Sequence, residues 1–246
     1  MTDPYVQAER TNHPEVTLFT HTMEPLKAIA LAIDIWHYPV PSQRHDAPWT
    51  EGELVEKFRW LLKQPHQTPL EYFSMVWILK GVSRAFQQQL TRHRLASYSI
   101  QSLRVVDPGN FAEEGRYHCS ETVKDKEGYH KGMLMLQGLY RGAIQSGETT
   151  EDARGFLPLN IHSPVTMCIN YRTLIGLLKQ RMCLCAQGEW KQVVAQMRSE
   201  VGKVHPVFQE PLDCMCGRYK NRNTICKTAH KRVLCDRFAL DDEATT

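Results

Sequence analysis

Two segments with strand character lie far apart in this chain, and the other patterned segments have helical spacing. YFSMVWILKG (72–81) and SPVTMCINY (163–171) are rich in aromatic and β-branched residues, which is typical of half-buried strands. Cys168 alternates with apolar residues in the second segment and is expected in the core. A chain of βαβ units would instead place strands and helices in regular alternation. The pattern therefore predicts an α+β fold in which helices outnumber strands.

The helical segments carry apolar residues at spacings of three and four positions. They are residues 24–37, 51–64, 121–145, 172–183 and 189–204. Thr50 is a candidate N-cap for the second of them. A more polar segment, 82–94, is also compatible with a helix. Arg92, His93 and Arg94 are then expected in its last turn, where the helix dipole favours cations.

Composition and charge exclude several classes of protein. With 246 residues, of which 42% are hydrophobic, the chain can bury a substantial core. The formal charge of +3 and the pI near 8.4 are too weak for general binding of nucleic acid. The N-terminus MTDPYVQAER has no signal pattern, and no segment approaches the roughly 18 to 20 apolar residues of a membrane span. We therefore expect a cytoplasmic protein without a membrane segment.

The C-terminal part of the chain is distinguished by its cysteines, so we divide the chain into a main domain, 1–210, and a Cys-rich extension, 211–246. Six of the eight cysteines lie after residue 182, and the last four of them are in the extension: Cys183, Cys185, Cys214, Cys216, Cys226 and Cys235. Reduced, packed thiols are the first interpretation in a cytoplasmic protein. A structural zinc site with His205 and His230, or disulfides, are the alternatives, and we assign no metal ligands. The basic run 217–232 is either a solvated surface or an anion-binding patch.

The stretch QLTRHRLASYSIQSLRV (89–105) concentrates cations, hydroxyls and amides in a chain that is only mildly basic. Guanidinium groups grip oxyanions bidentately, and hydroxyl and amide groups suit a polar ring. Nucleic-acid binding would instead spread basic residues along a face with aromatic residues between them. The stretch therefore predicts a site for a compact anion such as a nucleotide. Ser102 is expected to be a ligand in it, because a nucleophilic serine needs an adjacent base and His93 is nine residues away.

Four sequence blocks occur in one order. Arg92-His93-Arg94 is followed after seven residues by Ser102, and HQTPLEY (66–72) precedes this signature. DARGFLPLN (152–160) and NYRTLIGLLKQRMCLCAQGE (170–189) follow it. The first block resembles the RHR-x7-S signature of the flavin-dependent thymidylate synthases, the ThyX family. The other three are similar to that family's H-x-[ST]-P-x-E segment, its arginine with LPLN, and its N-x-R-x-L…R…AQ-x-E block.

The resemblance implies a fold, a reaction and partners. The fold would be α+β, with a central, mostly antiparallel sheet and long helices, assembled as a homotetramer with sites at the subunit interfaces. FAD would be the cofactor, reduced by NADPH, and methylenetetrahydrofolate would supply one carbon to C5 of dUMP to give dTMP. The expected partners are therefore a pyrimidine nucleoside monophosphate and a folate, and neither a membrane nor nucleic acid.

The resemblance also implies roles for individual residues. The flavin would be held by His66, Thr68, Glu71, Arg92, His93, Arg94, Asn170 and Arg172. The nucleotide would be held by Gln89, Arg92, Gln101, Ser102, Arg104, Arg154 and Arg181. Arg181 would be the catalytic residue, because a fixed guanidinium beside the pyrimidine stabilises negative charge at N3 and activates C5 without a cysteine attacking C6.

Five positions depart from residues that are frequent in the family. Ile100, Val105, Gly176, Cys185 and Gly188 stand where relatives often carry Glu, Tyr, Asn, His and Trp. The departures alter the expected flavin pocket more than the nucleotide pocket. Two alternatives therefore stay open: a related enzyme that methylates UMP or hydroxymethylates a pyrimidine nucleotide, and a nucleotide-binding module without catalysis.

Overall fold

The computed structural model describes residues 13–37, 49–183 and 186–214. Its strands are β1 (Glu15–His21), β2 (Ser74–Lys80), β3 (Ala96–Ile100) and β4 (Val165–Asn170). Its α-helices are α1 (Pro25–His37), α2 (Glu51–Leu62), α3 (Arg84–Leu90), α4 (Lys126–Gln145), α5 (Thr150–Ala153), α6 (Tyr171–Arg181) and α7 (Gly188–Val204). Short 3₁₀ helices span Thr68–Tyr72, Arg154–Phe156 and Pro206–Gln209.

The four strands form one sheet in the order β1-β2-β4-β3. Backbone hydrogen bonds at the strand ends show that neighbours run in opposite directions. The amide of Thr22, just after β1, donates to the carbonyl of Ser74 at the start of β2 over 2.9 Å. The amide of Ser163, just before β4, donates to the carbonyl of Val82, just after β2, over 2.9 Å. The predicted α+β class with an antiparallel sheet is confirmed.

The helices that the apolar spacing predicts are present, with ends set by local chemistry. Helix α2 begins at a capping box in which the Thr50 hydroxyl accepts from the amide of Glu53, and the Glu53 carboxylate accepts from the amide of Thr50. Helix α4 has Asp125 as its N-cap, so it begins five residues after the predicted start at 121. Among the described residues, no helix is both long enough and apolar enough to span a membrane.

Two strands were not predicted, and two predictions about this part of the chain are wrong. Strands β1 and β3 were not singled out in the sequence, and both are edge strands with many exposed residues. Helix α3 ends at Leu90, so Arg92, His93 and Arg94 lie beyond it and not in its last turn. Cys168 is exposed, because the alternation of β4 directs its neighbours Met167 and Ile169 into the core.

The described residues divide into two compact units. The first contains 13–16, 78–94 and 98–167; the second contains 17–37, 49–77, 95–97, 168–183 and 186–214. The expected boundary at residue 210 lies within the second unit, and most of the proposed extension, from 215 onward, lies outside the described residues.

The core of the second unit is a cluster of aromatic rings. Phe73 packs against Phe208 with ring centroids 4.6 Å apart and stacks on Tyr171 at 5.2 Å. Phe58 of helix α2 meets the edge of Phe208 at 5.2 Å, and the Tyr171 hydroxyl donates to the carbonyl of Phe208. All four side chains are buried, and each aromatic pair adds about 0.5–1.5 kcal/mol beyond the burial of its surface. The cluster therefore holds the 3₁₀ helix before β2 and the start of α6 in fixed positions.

The core of the first unit lies under helix α4. Leu103, Phe111, Ala112, Tyr117 and Ile161 form its buried cluster, against which Met133 and other residues of α4 pack. Tyr117 and Ile161 are paired across an antiparallel bridge. Tyr117 follows the cationic stretch 89–105, and Ile161 directly follows the block DARGFLPLN (152–160). The bridge therefore anchors the chain segments after the stretch and after the block to one core.

A buried histidine lies beside this bridge. The amide of His162 donates to the carbonyl of Arg116 over 3.0 Å, and the Nε2 atom of its ring has no hydrogen-bond partner among the residues that the structure describes. Burial, together with the nearby His118 and Arg116, lowers the pKa of His162 to about 4. The imidazole is therefore neutral in the folded chain at neutral and mildly acidic pH.

The lowered pKa of His162 predicts a loss of stability in acid. As the pH falls through 6.5, the unfolded chain takes up a proton on His162, whereas the folded chain does not until about pH 4. This residue alone should lower the free energy of unfolding by about 3 kcal/mol between those values. Urea titrations between pH 6.5 and about pH 4 measure this fall in the free energy of unfolding. The fall should be smaller in His162→Gln, whereas His21→Gln, which replaces an exposed histidine, should show the same fall as the parent. An equally steep fall in His162→Gln contradicts the prediction.

Candidate active site

The cationic turn, residues 91–94, follows directly after helix α3 in the first unit. Thr91 ends the helix by donating its backbone amide to the carbonyl of Gln87 over 3.0 Å and its hydroxyl to the same carbonyl over 3.0 Å. Arg92 and Arg94 are exposed, and within the described part of the chain neither is hydrogen-bonded or ion-paired through its side chain. His93 between them is partly buried. The turn therefore presents two guanidinium groups that are available to an anion.

Tyr98 of strand β3 holds this turn in place. Its hydroxyl lies 2.7 Å from the carbonyl oxygen of His93 and 3.0 Å from that of Leu90, the last residue of α3. Carbonyls at the end of a helix lack partners inside the helix, so a side-chain donor stabilises them. Burial raises the pKa of Tyr98 to about 12, so the hydroxyl keeps its proton at physiological pH. Sequence reasoning did not single out Tyr98.

The predicted nucleotide ligands Gln101 and Ser102 follow strand β3. The amide of Gln101 donates to the carbonyl of Pro164 over 3.2 Å, which ties it to the start of β4. The carbonyl of Ser102 accepts from the amide of Val106 over 2.9 Å, so Ser102 opens a turn and its side chain is exposed. Its Oγ contacts only the amide of Arg104, at 3.3 Å, among the described residues. The absence of a bonded base favours a ligand over a nucleophile.

Two predicted nucleotide arginines converge on one carboxylate. The Nη2 atom of Arg104 lies 2.8 Å from Oε2 of Glu151. The Nη2 atom of Arg154 lies 4.0 Å from Oε1 of the same residue, and its Nε donates to the Glu151 carbonyl over 3.0 Å. The Thr150 hydroxyl also donates to the carbonyl of Arg104. The structure thus brings Arg104 and Arg154 together, and their shared contact with Glu151 was not predicted from the sequence.

Gln89, the remaining nucleotide candidate in this unit, lies in the last turn of α3. Its side chain is partly buried. The start of α3 is fixed by the LPLN block, because the amides of Arg84 and Ala85 donate to the carbonyls of Ile161 and Leu159. The helix that carries Gln89 and the block that follows Arg154 are therefore attached to each other.

The second unit pairs two predicted flavin residues. The Nη1 atom of Arg172 donates to Oε1 of Glu71 over 2.7 Å, and both side chains are more than two-fifths exposed. Both are placed by the aromatic core, since Glu71 lies two residues before Phe73 and Arg172 directly follows Tyr171. Thr68 is exposed at the start of the same 3₁₀ helix.

The other flavin candidates of this unit differ in their surroundings. His66 is exposed just before the 3₁₀ helix. Asn170 is the N-cap of α6, where its Oδ1 accepts from the amide of Thr173 over 2.9 Å. The sequence block predicted Asn170 as a ligand, and the structure adds a capping role.

The proposed catalytic residue, Arg181, is the last residue of α6. Its guanidinium carbon lies 4.7 Å from the ring centroid of Trp190, a buried residue near the start of α7. Such a stack on an indole face is a cation–π interaction, and it fixes the plane of the guanidinium. Burial lowers the pKa of Arg181 from its ordinary value, although an arginine remains protonated at physiological pH. The contact with Trp190 was not predicted.

Most of the positions that depart from the expected family pattern have few neighbouring atoms. A Cβ atom added at Gly176 or at Gly188 would meet no other atom within 4 Å, so neither glycine is required by packing. Val105 is 80% exposed, and Ile100 is partly buried in β3. Cys185 lies outside the described residues. Packing within the described residues therefore does not account for either glycine.

The described residues contain no group of three or more His, Cys, Asp and Glu side chains arranged to hold a metal ion. Cys183 is partly buried and Cys214 is buried. The Nε2 atom of His205 lies 2.9 Å from Oε1 of Glu51. The remaining residues considered for zinc, namely Cys185, Cys216, Cys226, His230 and Cys235, lie outside the described part of the chain. The zinc hypothesis for the extension therefore stays a hypothesis.

Comparison with known protein families finds a match over most of the chain. The family model described as "Thymidylate synthase complementing protein" matches residues 17–207. A protein of Geobacter sulfurreducens named flavin-dependent thymidylate synthase is 30% identical over 219 residues, which cover 87% of this chain and 94% of that protein. A protein of Pyrococcus furiosus with the same name is 31% identical over 203 residues, covering 79% of this chain and 82% of that protein.

Solved structures share the fold. The thymidylate synthase ThyX of Helicobacter pylori, solved with FAD and dUMP, superposes with a TM-score of 0.68 at 20% identity and covers 81% of this chain and 99% of that chain. The UMP/dUMP methylase PolB of Streptomyces cacaoi, solved with 5-Br dUMP, gives a TM-score of 0.67 at 21% identity over 80% of this chain and 94% of that chain. At these identities the likeness concerns the fold.

The two contacts of Tyr98 predict that its hydroxyl orders the cationic turn. Tyr98→Phe removes the donor and leaves the carbonyls of Leu90 and His93 without it, so the free energy of unfolding should fall by about 1 kcal/mol. Amide hydrogen exchange at residues 91–94 should also accelerate. Tyr72→Phe, at a tyrosine that is 54% exposed, is the matched control. Unchanged exchange in the Tyr98 variant would show that the turn is ordered without this hydroxyl.

Proposed function

This chain belongs to the flavin-dependent thymidylate synthase family, and from that premise we propose the reaction that it catalyses. The reaction is the methylation of dUMP at C5 to give dTMP, with FAD as cofactor. Methylenetetrahydrofolate donates the carbon and NADPH is the reductant. The similar proteins of Geobacter sulfurreducens and Pyrococcus furiosus carry the corresponding name.

The observation that carries the proposal is the convergence of Arg104 and Arg154 beside the turn that begins at Ser102. Two guanidinium groups and an exposed hydroxyl form a donor set that suits a phosphate monoester. Gln89 and Gln101 in the same unit offer amide groups of the kind that recognise the edge of a pyrimidine. We assign these five residues to the nucleotide, together with Arg92 and Arg181.

The residues proposed for the flavin fit FAD in their chemistry. Arg92 and Arg94 are exposed and have no ion-pair partner within the described residues, which suits a diphosphate. The pair formed by Glu71 and Arg172 offers both an acceptor and a donor to a polar ring. We assign His66, Thr68, His93 and Asn170 to the same cofactor. When bound, the flavin supplies the redox step of the reaction, and the protein supplies orientation and electrostatics.

Arg181 is the residue that we propose to be catalytic. Moving electron density onto C5 of the pyrimidine leaves negative charge on N3 and the carbonyl oxygens of the ring. A guanidinium held in one plane stabilises that charge without having to reorganise during the reaction. The stack on Trp190 and the partial burial of Arg181 support this role, since both restrict the guanidinium and limit its hydration.

The proposal includes an assembly and a location. We infer a homotetramer with its sites at subunit interfaces, in the cytoplasm, where the nucleotide and folate substrates are found. Catalysis is assigned to residues 1–210, which the end of the family match at residue 207 supports. Residues 211–246 are left as a Cys-rich extension without an assigned role.

The proposed function is tested by one spectrum and one product assay. The purified protein should show the absorbance of oxidised flavin, and it should convert dUMP to a product heavier by one CH2 unit when methylenetetrahydrofolate and NADPH are present. UMP and dUMP are supplied separately, because turnover of UMP or a hydroxymethyl product would favour the alternative enzyme. A colourless protein that binds nucleotide without turnover would overturn the proposal in favour of a binding module.

Replacement of Arg181 tests the proposed mechanism. Arg181→Ala should lower the rate of dTMP formation by about 100-fold or more, while the flavin absorbance of the purified protein is retained. Lys179→Ala removes an exposed cation two residues earlier on the same helix and should leave the rate near that of the parent. Parent-like turnover by Arg181→Ala would remove Arg181 from the mechanism.

A further inference from the structure

The carboxylate of Glu151 occupies the place where the proposed function requires an anion. One of its oxygens lies 2.8 Å from Nη2 of Arg104, and the other lies 4.0 Å from Nη2 of Arg154. Both arginines are residues that we assign to the nucleotide, and the three side chains are between two-fifths and three-fifths exposed. The carboxylate is therefore an internal anion that a ligand from solvent can reach and replace.

Contacts of the neighbouring residues hold Glu151 where it is. The hydroxyl of Thr149 accepts from the amide of Asp152 over 3.3 Å and caps helix α5, which contains Glu151. The hydroxyl of Thr150 donates to the carbonyl of Arg104, so the helix is attached to the turn that carries Arg104. The backbone of Glu151 itself accepts from Nε of Arg154. Replacing the carboxylate by a ligand would leave these backbone contacts intact.

Charge favours a phosphate over the carboxylate at this position. Two guanidinium groups carry two positive charges, whereas Glu151 offers one negative charge and two oxygens. A phosphate monoester carries close to two negative charges at neutral pH and presents three oxygens. Exposed carboxylate–guanidinium pairs contribute little stability, so their exchange for a dianion is favourable.

We propose that Glu151 competes with the phosphate of the nucleotide for Arg104 and Arg154 and so sets the affinity for the monophosphate. This inference rests on the proposed function, because it takes the two arginines as phosphate ligands. Without nucleotide, Glu151 keeps the guanidinium groups together and prevents their mutual repulsion. A monophosphate displaces it, and a nucleoside, which has no phosphate, cannot. The competition therefore lowers the affinity for phosphorylated substrate and leaves that for free nucleoside unchanged.

The test compares dissociation constants of dUMP and deoxyuridine for the FAD-loaded protein and for Glu151→Gln. The amide keeps the shape of the side chain and loses the charge, so Glu151→Gln should bind dUMP about three- to tenfold more tightly. Binding of deoxyuridine should not change. Glu151→Asp, which retains the charge on a shorter side chain, should fall between the parent and Glu151→Gln. The control is Glu113→Gln, because Glu113 is a similarly exposed carboxylate of the same unit that lies 3.9 Å from Arg141.

Two results would overturn the inference. In the first, Glu151→Gln binds dUMP as tightly as the parent or more weakly. Glu151 would then hold the two arginines in place for the phosphate and would not compete with it. The second is an equal gain for dUMP and deoxyuridine, which would show that the phosphate is not involved.

Inorganic phosphate separates failure of this inference from failure of the proposed function. If the parent binds no dUMP, the proposed function fails. The competition by Glu151 is then tested by how much inorganic phosphate protects each protein against thermal unfolding. Stronger protection of Glu151→Gln than of the parent and of Glu113→Gln supports the competition. Equal protection of all three proteins contradicts it.

Discussion

The antiparallel pairing of β2 with β4 is the constraint on which the rest of the arrangement depends. At one end of the pair, the amide of Tyr171 donates to the carbonyl of Phe73 over 2.8 Å. The chain continues from these two residues to Arg172 in one direction and to Glu71 in the other, so the register of the strands sets their ion pair. At the other end, Ser83 caps helix α3, which leads to the cationic turn. A shift of one residue would turn every side chain of one strand to the opposite face.

Apolar periodicity made most of the helices predictable. Helices α1, α2, α4, α6 and α7 present regular apolar stripes, and Thr50 with Glu53 forms a recognisable N-terminal signal. Strands β1 and β3 could not be predicted in this way, because edge strands bury fewer side chains and so leave a weaker alternation. Helix α3 was predicted to extend to residue 94, but it ends at Leu90. The carbonyl of Leu90 accepts a hydrogen bond from Tyr98 in strand β3, and local helix propensity gives no information about such a contact.

The candidate site was accessible to sequence reasoning only in part. Clustered arginines, serines and amides predicted an anion-binding stretch, and the resemblance to a family predicted site residues in three other blocks. Residues that contact these predicted ligands were not found, because the contacts are made in space between distant parts of the sequence. In the sequence, Glu151 is an ordinary acidic residue of a polar helix start, and Trp190 is an ordinary core residue. Only the structure places them beside Arg104 and Arg181.

The placement of Tyr98 explains a length restriction within the signature. Tyr98 lies five residues after His93, whose carbonyl it contacts, and four residues before Ser102. The seven intervening residues, 95–101, include strand β3, in which side chains alternate between faces. An insertion or deletion of one residue before Tyr98 would direct its ring to the wrong side and release the turn. The contact of Tyr98 therefore restricts the number of residues between Arg94 and Ser102, in addition to the identity of residue 98.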